Sequence, residues 1–254
     1  MVSSINIFGK ALPLYGLFCT LGMIVAALIG MLLCKKRKLE IFDLVGSAVY
    51  AFIGGMLGSK LLFIITSLKT IIENNIPFES LIKGGFVFYG GLIGGALGLF
   101  IYVKQFKMSL RDFLDVYAVC LPLGHAFGRV GCFFGGCCHG IPHDSPISVI
   151  YTHTEGTTLL NTPLLPVQLI EAAVLLIFFV IMLILFLKTK TRMLPIIYIF
   201  MYTVARFVLE FFRGDKVRGG ALGISTSQII SLVIIAALAV YLTIRLKKKN
   251  HVAN

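Results

Sequence analysis

Residues 167–187 read Val-Gln-Leu-Ile-Glu-Ala-Ala-Val-Leu-Leu-Ile-Phe-Phe-Val-Ile-Met-Leu-Ile-Leu-Phe-Leu, an apolar run broken by one charge, Glu171. Crossing the hydrocarbon core of a bilayer takes roughly 20 helical residues. Lipid offers no hydrogen-bond partners, so a spanning segment must satisfy its own backbone, which a helix does. The run therefore predicts a transmembrane helix. Similar runs lie on both sides of it, and together they predict spans over Leu12–Cys34, Asp43–Leu68, Phe86–Val103, Phe113–Gly128, Val167–Leu187, Leu194–Phe212 and Thr226–Ile244. Hydrophobic residues make up 58% of the 254 and charged residues 13%, a balance that excludes an ordinary soluble domain. The expectation is an all-α integral membrane protein of about seven transmembrane helices, a single membrane domain over residues 1–254.

Lys and Arg number 23 against 11 Asp and Glu, a net charge of +12. In a soluble chain that excess would suggest nucleic acid as a partner. Here the basic residues concentrate in four short clusters, Lys35–Lys38, Lys104–Arg111, Lys188–Arg192 and Arg245–Lys249. Each follows an apolar run, and the clusters recur after every second crossing. Basic loops stay on the cytoplasmic side of a membrane, so the pattern predicts an N-terminus outside, a cytoplasmic C-terminus and no nucleic-acid partner. The first span has no basic leader beyond Lys10 and no small-residue cleavage site, which argues against a removed signal peptide.

The third and fourth spans are short and Gly-rich or Gly-flanked, and are expected to be tilted, broken or partly re-entrant. Gly54-Gly55, Gly58, Gly84-Gly85, Gly90-Gly91, Gly94-Gly95 and Gly98 suit close helix packing, the usual association device in lipid. Between spans four and five lies the one long polar stretch, 129–166, with three cysteines and four prolines. It predicts a small extracytoplasmic head, with a short strand within Ile147–Thr152.

Charge inside a span is costly and tends to mark function. Tyr202, Arg206, Glu210 and Arg213 recur at steps of four, four and three, placing them on one face of the sixth span, and Asp215 follows. An Arg partnered by Glu one turn away can keep its planar fork available for a phosphate; a structural ion pair between helices is the alternative. Span five opens with Gln168 and Glu171 facing the same way, where a carboxylate can orient arginines or take a proton, or simply suit the helix dipole. Span four ends in Gly128-Arg129-Val130-Gly131-Cys132-Phe133-Phe134-Gly135-Gly136-Cys137-Cys138-His139-Gly140, where glycines beside Arg129 would admit a bulky anionic ligand. Asp115 lies toward the opposite end of the same helix. Upstream, Tyr89 stands before Gly90-Gly91, either a working phenol or an interfacial anchor.

These pieces, in this order, resemble the bacterial prolipoprotein diacylglyceryl transferase family. The shared elements are Tyr15-Gly16-Leu17, Gly90-Gly91-Leu92-Ile93-Gly94, Gly128-Arg129 with Gly131 and Phe133, Pro166 with Gln168 and Glu171, Arg206-Phe207 through Glu210-Phe211-Phe212-Arg213 with Asp215, and Ser227-Gln228-Ile229. The resemblance implies a multi-pass enzyme of the bacterial cell membrane, with a helical core and a small outer head. Such an enzyme moves the diacylglyceryl group of phosphatidylglycerol onto the lipobox cysteine thiol of a preprolipoprotein, recognised through its signal peptide, and releases glycerol phosphate. It uses no metal or organic cofactor and is expected to be a monomer. The residues and the resemblance together assign catalytic roles to Arg206, Tyr89, Glu171 and Glu210. Substrate contacts fall to Arg129, Tyr15, Gln168, Tyr202, Arg213 and Gly140. Three positions depart from the family pattern: Tyr89 where a His is common, Cys132 where an Asn is, and Cys137 where a Glu is. A phenol with an ordinary pKa of about 10 is a poor base unless nearby cations depress it.

Cys132, Cys137, Cys138 and His139 also invite other readings. With His125 or His143 they resemble a soft metal set, although no Cys-x-x-Cys pair is present and adjacent cysteines seldom share one ion. A disulfide from Cys132 to Cys137 or Cys138 suits an oxidising face. Small side chains packing a Gly-rich turn is the plainest reading. The cluster thus keeps open a second class, a membrane thiol or metal redox protein. A transporter is a third class, opposed by the odd span count and the lack of an internal repeat.

Overall fold

The computed structural model describes residues 4–7, 10–73, 77, 85–152, 154, 156–189, 191–215, 220–221 and 224–253. Gly84, His153 and Lys190 lie outside them. Among the described residues the chain is built from seven long helices: α1 (Leu14–Cys34), α2 (Ile41–Glu73), α3 (Phe88–Gln105), α4 (Leu110–Phe134), α5 (Val167–Lys188), α6 (Leu194–Leu209) and α7 (Thr226–Ala253). Six long helical stretches, all but α3, are apolar enough over 18 residues to cross a membrane. Strands are confined to two-residue or four-residue antiparallel hairpins: β1 (Ser4–Ile7) with β2 (Lys10–Pro13), β3 (Val149–Ile150) with β4 (Pro163–Leu164), and β5 (Gly220–Ala221) with β6 (Ile224–Ser225). The strand expected within Ile147–Thr152 is β3, shortened to two residues.

The chain separates into two compact units, one formed by residues 1–29 and 117–254, the other by 30–116. In the second unit, α2 and α3 meet backbone to backbone. A Cβ at Gly54 or Gly58 would collide with the carbonyl oxygens of Gly94 or Gly90, and one at Gly98 with that of Tyr50. Hydrocarbon surroundings give apolar side chains no reason to leave lipid for a neighbouring helix, so close backbone approach through small residues holds the pair together. Large side chains on the other faces, among them Phe52, Leu57, Ile93 and Leu97, stay exposed. At one end of the pair the Tyr102 hydroxyl donates to Asp43 at 3.3 Å, beneath a tilted stack with Phe106. Asp115 is here the acid of a buried pair with Arg37 at 3.0 Å, the two side chains 1% and 10% exposed. Residue spacing gives no hint of that partner, which comes from the first basic cluster.

In the first unit α1 lies along α4. A Cβ at Gly22 would press on Phe127, and one at Gly131 would meet the Tyr15 backbone at 3.1 Å; Phe18 stacks on Phe134 at 5.1 Å. This corrects two expectations. The fourth span is neither short nor broken, because α4 runs 25 residues and accommodates Pro122. Residues 129–134, expected in the head, are therefore helical, and Gly131 serves the α1 contact. Between α4 and α5, β3 and β4 carry a small apolar cluster of Phe133, Tyr151 and Leu164, closed by the Tyr151 hydroxyl donating to the Phe133 carbonyl at 3.0 Å. Burial pushes the Tyr151 phenol up to about 12, with the Cys137 charge adding to the shift.

Candidate active site

Glu171 is the hub of the first unit's polar core. It stands in the second turn of α5, 1% exposed, and Oε1 receives the Arg129 guanidinium at 3.0 Å and the Tyr202 hydroxyl at 3.5 Å. Arg129 comes from the penultimate turn of α4 and Tyr202 from α6, so three helices converge on one carboxylate oxygen. The other oxygen, Oε2, is buried and has no hydrogen-bond partner among the described residues. One turn beyond Tyr202, Arg206 is buried, pairs with Glu210 at 2.5 Å and donates to Ser227 at the start of α7 at 3.1 Å. Both guanidiniums lie within electrostatic reach of the His125 ring, itself 5.1 Å from the Tyr202 ring.

The helical spacing holds from Tyr202 to Glu210 but not to Arg213. The last turn tightens into a 3-10 turn over Glu210–Phe212, and the backbone extends at Arg213. Arg213 consequently swings off the α6 face and forms a bidentate pair with Asp215 at 2.9 and 2.8 Å, remaining 4.0 Å from Glu210. Burial works against its charge, but the Asp215 hydrogen bonds and the Cys138 thiol hold its pKa above the ordinary value. Its backbone bridges to Gly140, and Gly214 donates to the His139 carbonyl at 3.0 Å. A Cβ on Gly140 would strike the Leu165 carbonyl. Gly140 thus serves close backbone packing between two stretches of loop.

The cysteines meet because of how α4 stops. Gly136 N–H bonds the Phe133 carbonyl and Cys137 N–H the Cys132 carbonyl, with Gly136 at φ +62°. That is a Schellman end, which folds the chain back over the last turn and returns Cys137 to Cys132. Cys138 then takes a second left-handed conformation, φ +57°, and comes back to the same spot. The three Sγ atoms lie within 4.8 Å of one another, and no disulfide joins any cysteine among the described residues. Neither His125, His139 nor His143 belongs to the group, which corrects the mixed Cys–His set. Hydrogen bonds from Cys132 and Cys137, then the Arg213 charge, hold the Cys138 thiol well below its ordinary range. For Cys137 the bond to Cys132 lowers the value, yet the bond to Cys138 and burial outweigh it and push it up to about 11. Gln168, 1% exposed, donates to the Cys137 carbonyl at 2.8 Å and so ties this turn to α5.

Of the remaining candidate residues, Tyr15 starts α1, half exposed, with its backbone against Gly131 and its side chain in ordinary contact range of Gly135. Tyr89 belongs to the other unit, at the start of α3 and 44% exposed, with an edge contact to Phe88 at 5.8 Å. Sequence reasoning misses Ser227 as a partner of Arg206 and the His125 ring beside Tyr202. The Ser227-Gln228-Ile229 run carries the first signal; for His125 only its place one turn before Arg129 does.

The chain is similar along nearly its whole length to one family of proteins. A family model described as prolipoprotein diacylglyceryl transferase matches residues 3–244. A phosphatidylglycerol–prolipoprotein diacylglyceryl transferase of Clostridium tetani is 35% identical over 247 residues, covering 96% of this chain and 98% of the relative. A second such protein, numbered 2, from Clostridium perfringens is 32% identical with 96% of both chains covered. One from Dehalococcoides mccartyi is 33% identical over 93% of this chain and 90% of its own. With the family model spanning nearly every residue and the buried arginine core lying inside the matched region, the chain belongs to the prolipoprotein diacylglyceryl transferase family.

Proposed function

We propose that this chain transfers the diacylglyceryl group of phosphatidylglycerol to the lipobox cysteine thiol of a preprolipoprotein, using Arg129 and Arg206 as the phosphate-directed cations. The observation that carries the assignment is a surplus of buried donors. Arg129 Nε, Arg206 Nη1 and Arg213 Nη1 are all buried and lack hydrogen-bond partners among the described residues. Orphaned donors of this kind are costly, and a phosphodiester supplies several acceptor oxygens of the matching charge.

In this reading Arg129 binds the lipid phosphate and Arg206 stabilises the charge that builds on it as it departs, usually the largest electrostatic contribution to such a step. Glu210 and Ser227 set the orientation of Arg206, and Glu171 and Tyr202 that of Arg129. The acceptor thiol must lose its proton, because the thiolate is the nucleophile. Glu171 Oε2, a buried oxygen without a partner among the described residues, takes it. Sulfur then forms a bond to the glycerol carbon as the carbon–oxygen bond to phosphate breaks, leaving a thioether and glycerol phosphate. Tyr89 keeps a proposed catalytic role on its place before Gly90-Gly91-Leu92. Gln168, Tyr15, Arg213 and Gly140 shape the walls in which the substrates rest.

The four basic clusters support an N-terminus outside and a C-terminus in the cytoplasm. That orientation makes residues 129–166 the extracytoplasmic head of a single membrane domain, on the side where preprolipoproteins emerge. The chain acts as a monomer in this reading, since one copy supplies every group named. The test is complementation of a bacterium lacking its own diacylglyceryl transferase, read out by lipoprotein mass. Restored diacylglyceryl mass, lost in Arg129→Ala and Arg206→Ala, is the expected result. Near-normal transfer by both variants would refute the assignment.

A further inference from the structure

We infer that Cys132, Cys137 and Cys138 form a three-thiolate binding site for a thiophilic d10 ion, Zn(II) or Cu(I). The three Sγ atoms already lie within 4.8 Å of one another. Around one ion with zinc–sulfur bonds of about 2.3 Å, sulfurs sit about 3.8 Å apart, so closure needs a movement of about 1 Å at most. A disulfide uses two sulfurs at about 2.05 Å and strands the third; an ion uses all three.

The backbone explains how neighbours in sequence share one ion. Adjacent residues normally point apart, but the left-handed conformations of Gly136 and Cys138 reverse the chain twice within three residues. A left-handed conformation is uncommon for a non-glycine residue, and at Cys138 its effect is to bring a third thiol to the pair. Charge is provided for as well. Three thiolates and a divalent ion leave one negative charge, and the Arg213 charge acts on Cys138. Outer-shell support comes from Gln168, which fixes the Cys137 carbonyl at 2.8 Å. Soft sulfur ligands select Zn(II) and Cu(I) over hard cations. Three protein ligands leave a fourth position open on Zn(II), whereas Cu(I) is satisfied by three. The thiol ligands themselves take no part in the proposed transfer, although Arg213 and Gln168 border both sites.

The experiment uses the full chain in detergent, stripped of metal by a chelator and kept reduced. Zn(II), Cu(I) and, as a spectroscopic probe, Co(II) are added separately. Binding of one equivalent of Zn(II) or Cu(I), with a thiolate-to-cobalt charge-transfer band, is expected. Cys132→Ser, Cys137→Ser and Cys138→Ser should each weaken binding by at least the roughly 10–100-fold that loss of an outer-shell partner costs. Cys34→Ser and Cys120→Ser should not change it. X-ray absorption on the unmutated zinc form, which no folding defect can confuse, should count three sulfurs at about 2.3 Å. Two results would overturn the site: no stoichiometric ion with all thiols titratable, or loss of two thiols on isolation, restored by reductant, with no ion held.

Discussion

Two buried arginine–carboxylate pairs in this protein are nearly identical as pairs. Arg37–Asp115 and Arg129–Glu171 both close at 3.0 Å, with the arginines 10% and 13% exposed and the acids 1% and 2%. Their surroundings differ. Asp115 and Arg37 share a unit whose helices meet through glycine, with Phe113 and Val116 fully buried nearby in the chain. Glu171 shares its carboxylate with Tyr202, and the same unit holds two further buried arginines, Arg206 paired with Glu210 and Arg213 paired with Asp215. A buried ion pair alone is thus a poor marker of chemistry. Several such pairs gathered in one unit beside a buried tyrosine hydroxyl are a better one.

The sharpest way to break this comparison is to remove one arginine from each pair. Arg129→Ala, and likewise Arg206→Ala, should lower diacylglyceryl transfer on the order of 100-fold or more, measured with labelled phosphatidylglycerol in membranes. Arg37→Ala should instead cost about 3–5 kcal/mol of stability, because a buried Asp115 loses its counter-charge, while transfer per folded molecule stays within about twofold. Thermal unfolding in detergent beside the transfer assay separates the two; a collapse of specific activity in Arg37→Ala would erase the distinction. A smaller effect is expected from Gly58→Ala, which forces a methyl against the Gly90 carbonyl. Overpacking of this kind costs about 1–3 kcal/mol, and the loss should appear in unfolding of α2 and α3 by hydrogen exchange, with transfer chemistry spared. Smallest is Tyr151→Phe, which removes one buried hydrogen bond worth about 1 kcal/mol. Because the folded phenol is pushed up to about 12 from an ordinary value of about 10, its contribution is full below about pH 10 and lost as pH rises through about 12. The wild-type head should therefore lose stability over that window, and Tyr151→Phe should flatten the loss. An unchanged alkaline limb in the variant would mean another group titrates there.

Much of the site is legible in the sequence because helical periodicity converts spacing into direction. Tyr202, Arg206 and Glu210 repeat at four-residue steps, and the structure keeps them together on α6. Gln168 and Glu171 are readable for the same reason at the start of α5. Arg213 is not, since nothing in Glu210-Phe211-Phe212 announces that the helix will tighten to a 3-10 turn and release it toward Asp215. The polar stretch from Arg129 onward suggests that the span has ended, whereas α4 continues to Phe134; helix packing against α1 at Gly131 outweighs the poor helix propensity of glycine. The cysteine cluster is visible as a set of residues, yet its geometry depends on two left-handed backbone positions.

The sequence by itself determined that this chain crosses a membrane several times, which residues are too polar to face lipid, and which family it joins, because hydrophobic length and helical spacing are local properties. Tertiary structure alone decided which acid each arginine takes, that Glu171 joins α4 to α6, and that three thiols fall within one ion's reach. Those outcomes rest on contacts between helices far apart in the chain and on the backbone of a single turn, and neither is written in any short stretch of residues.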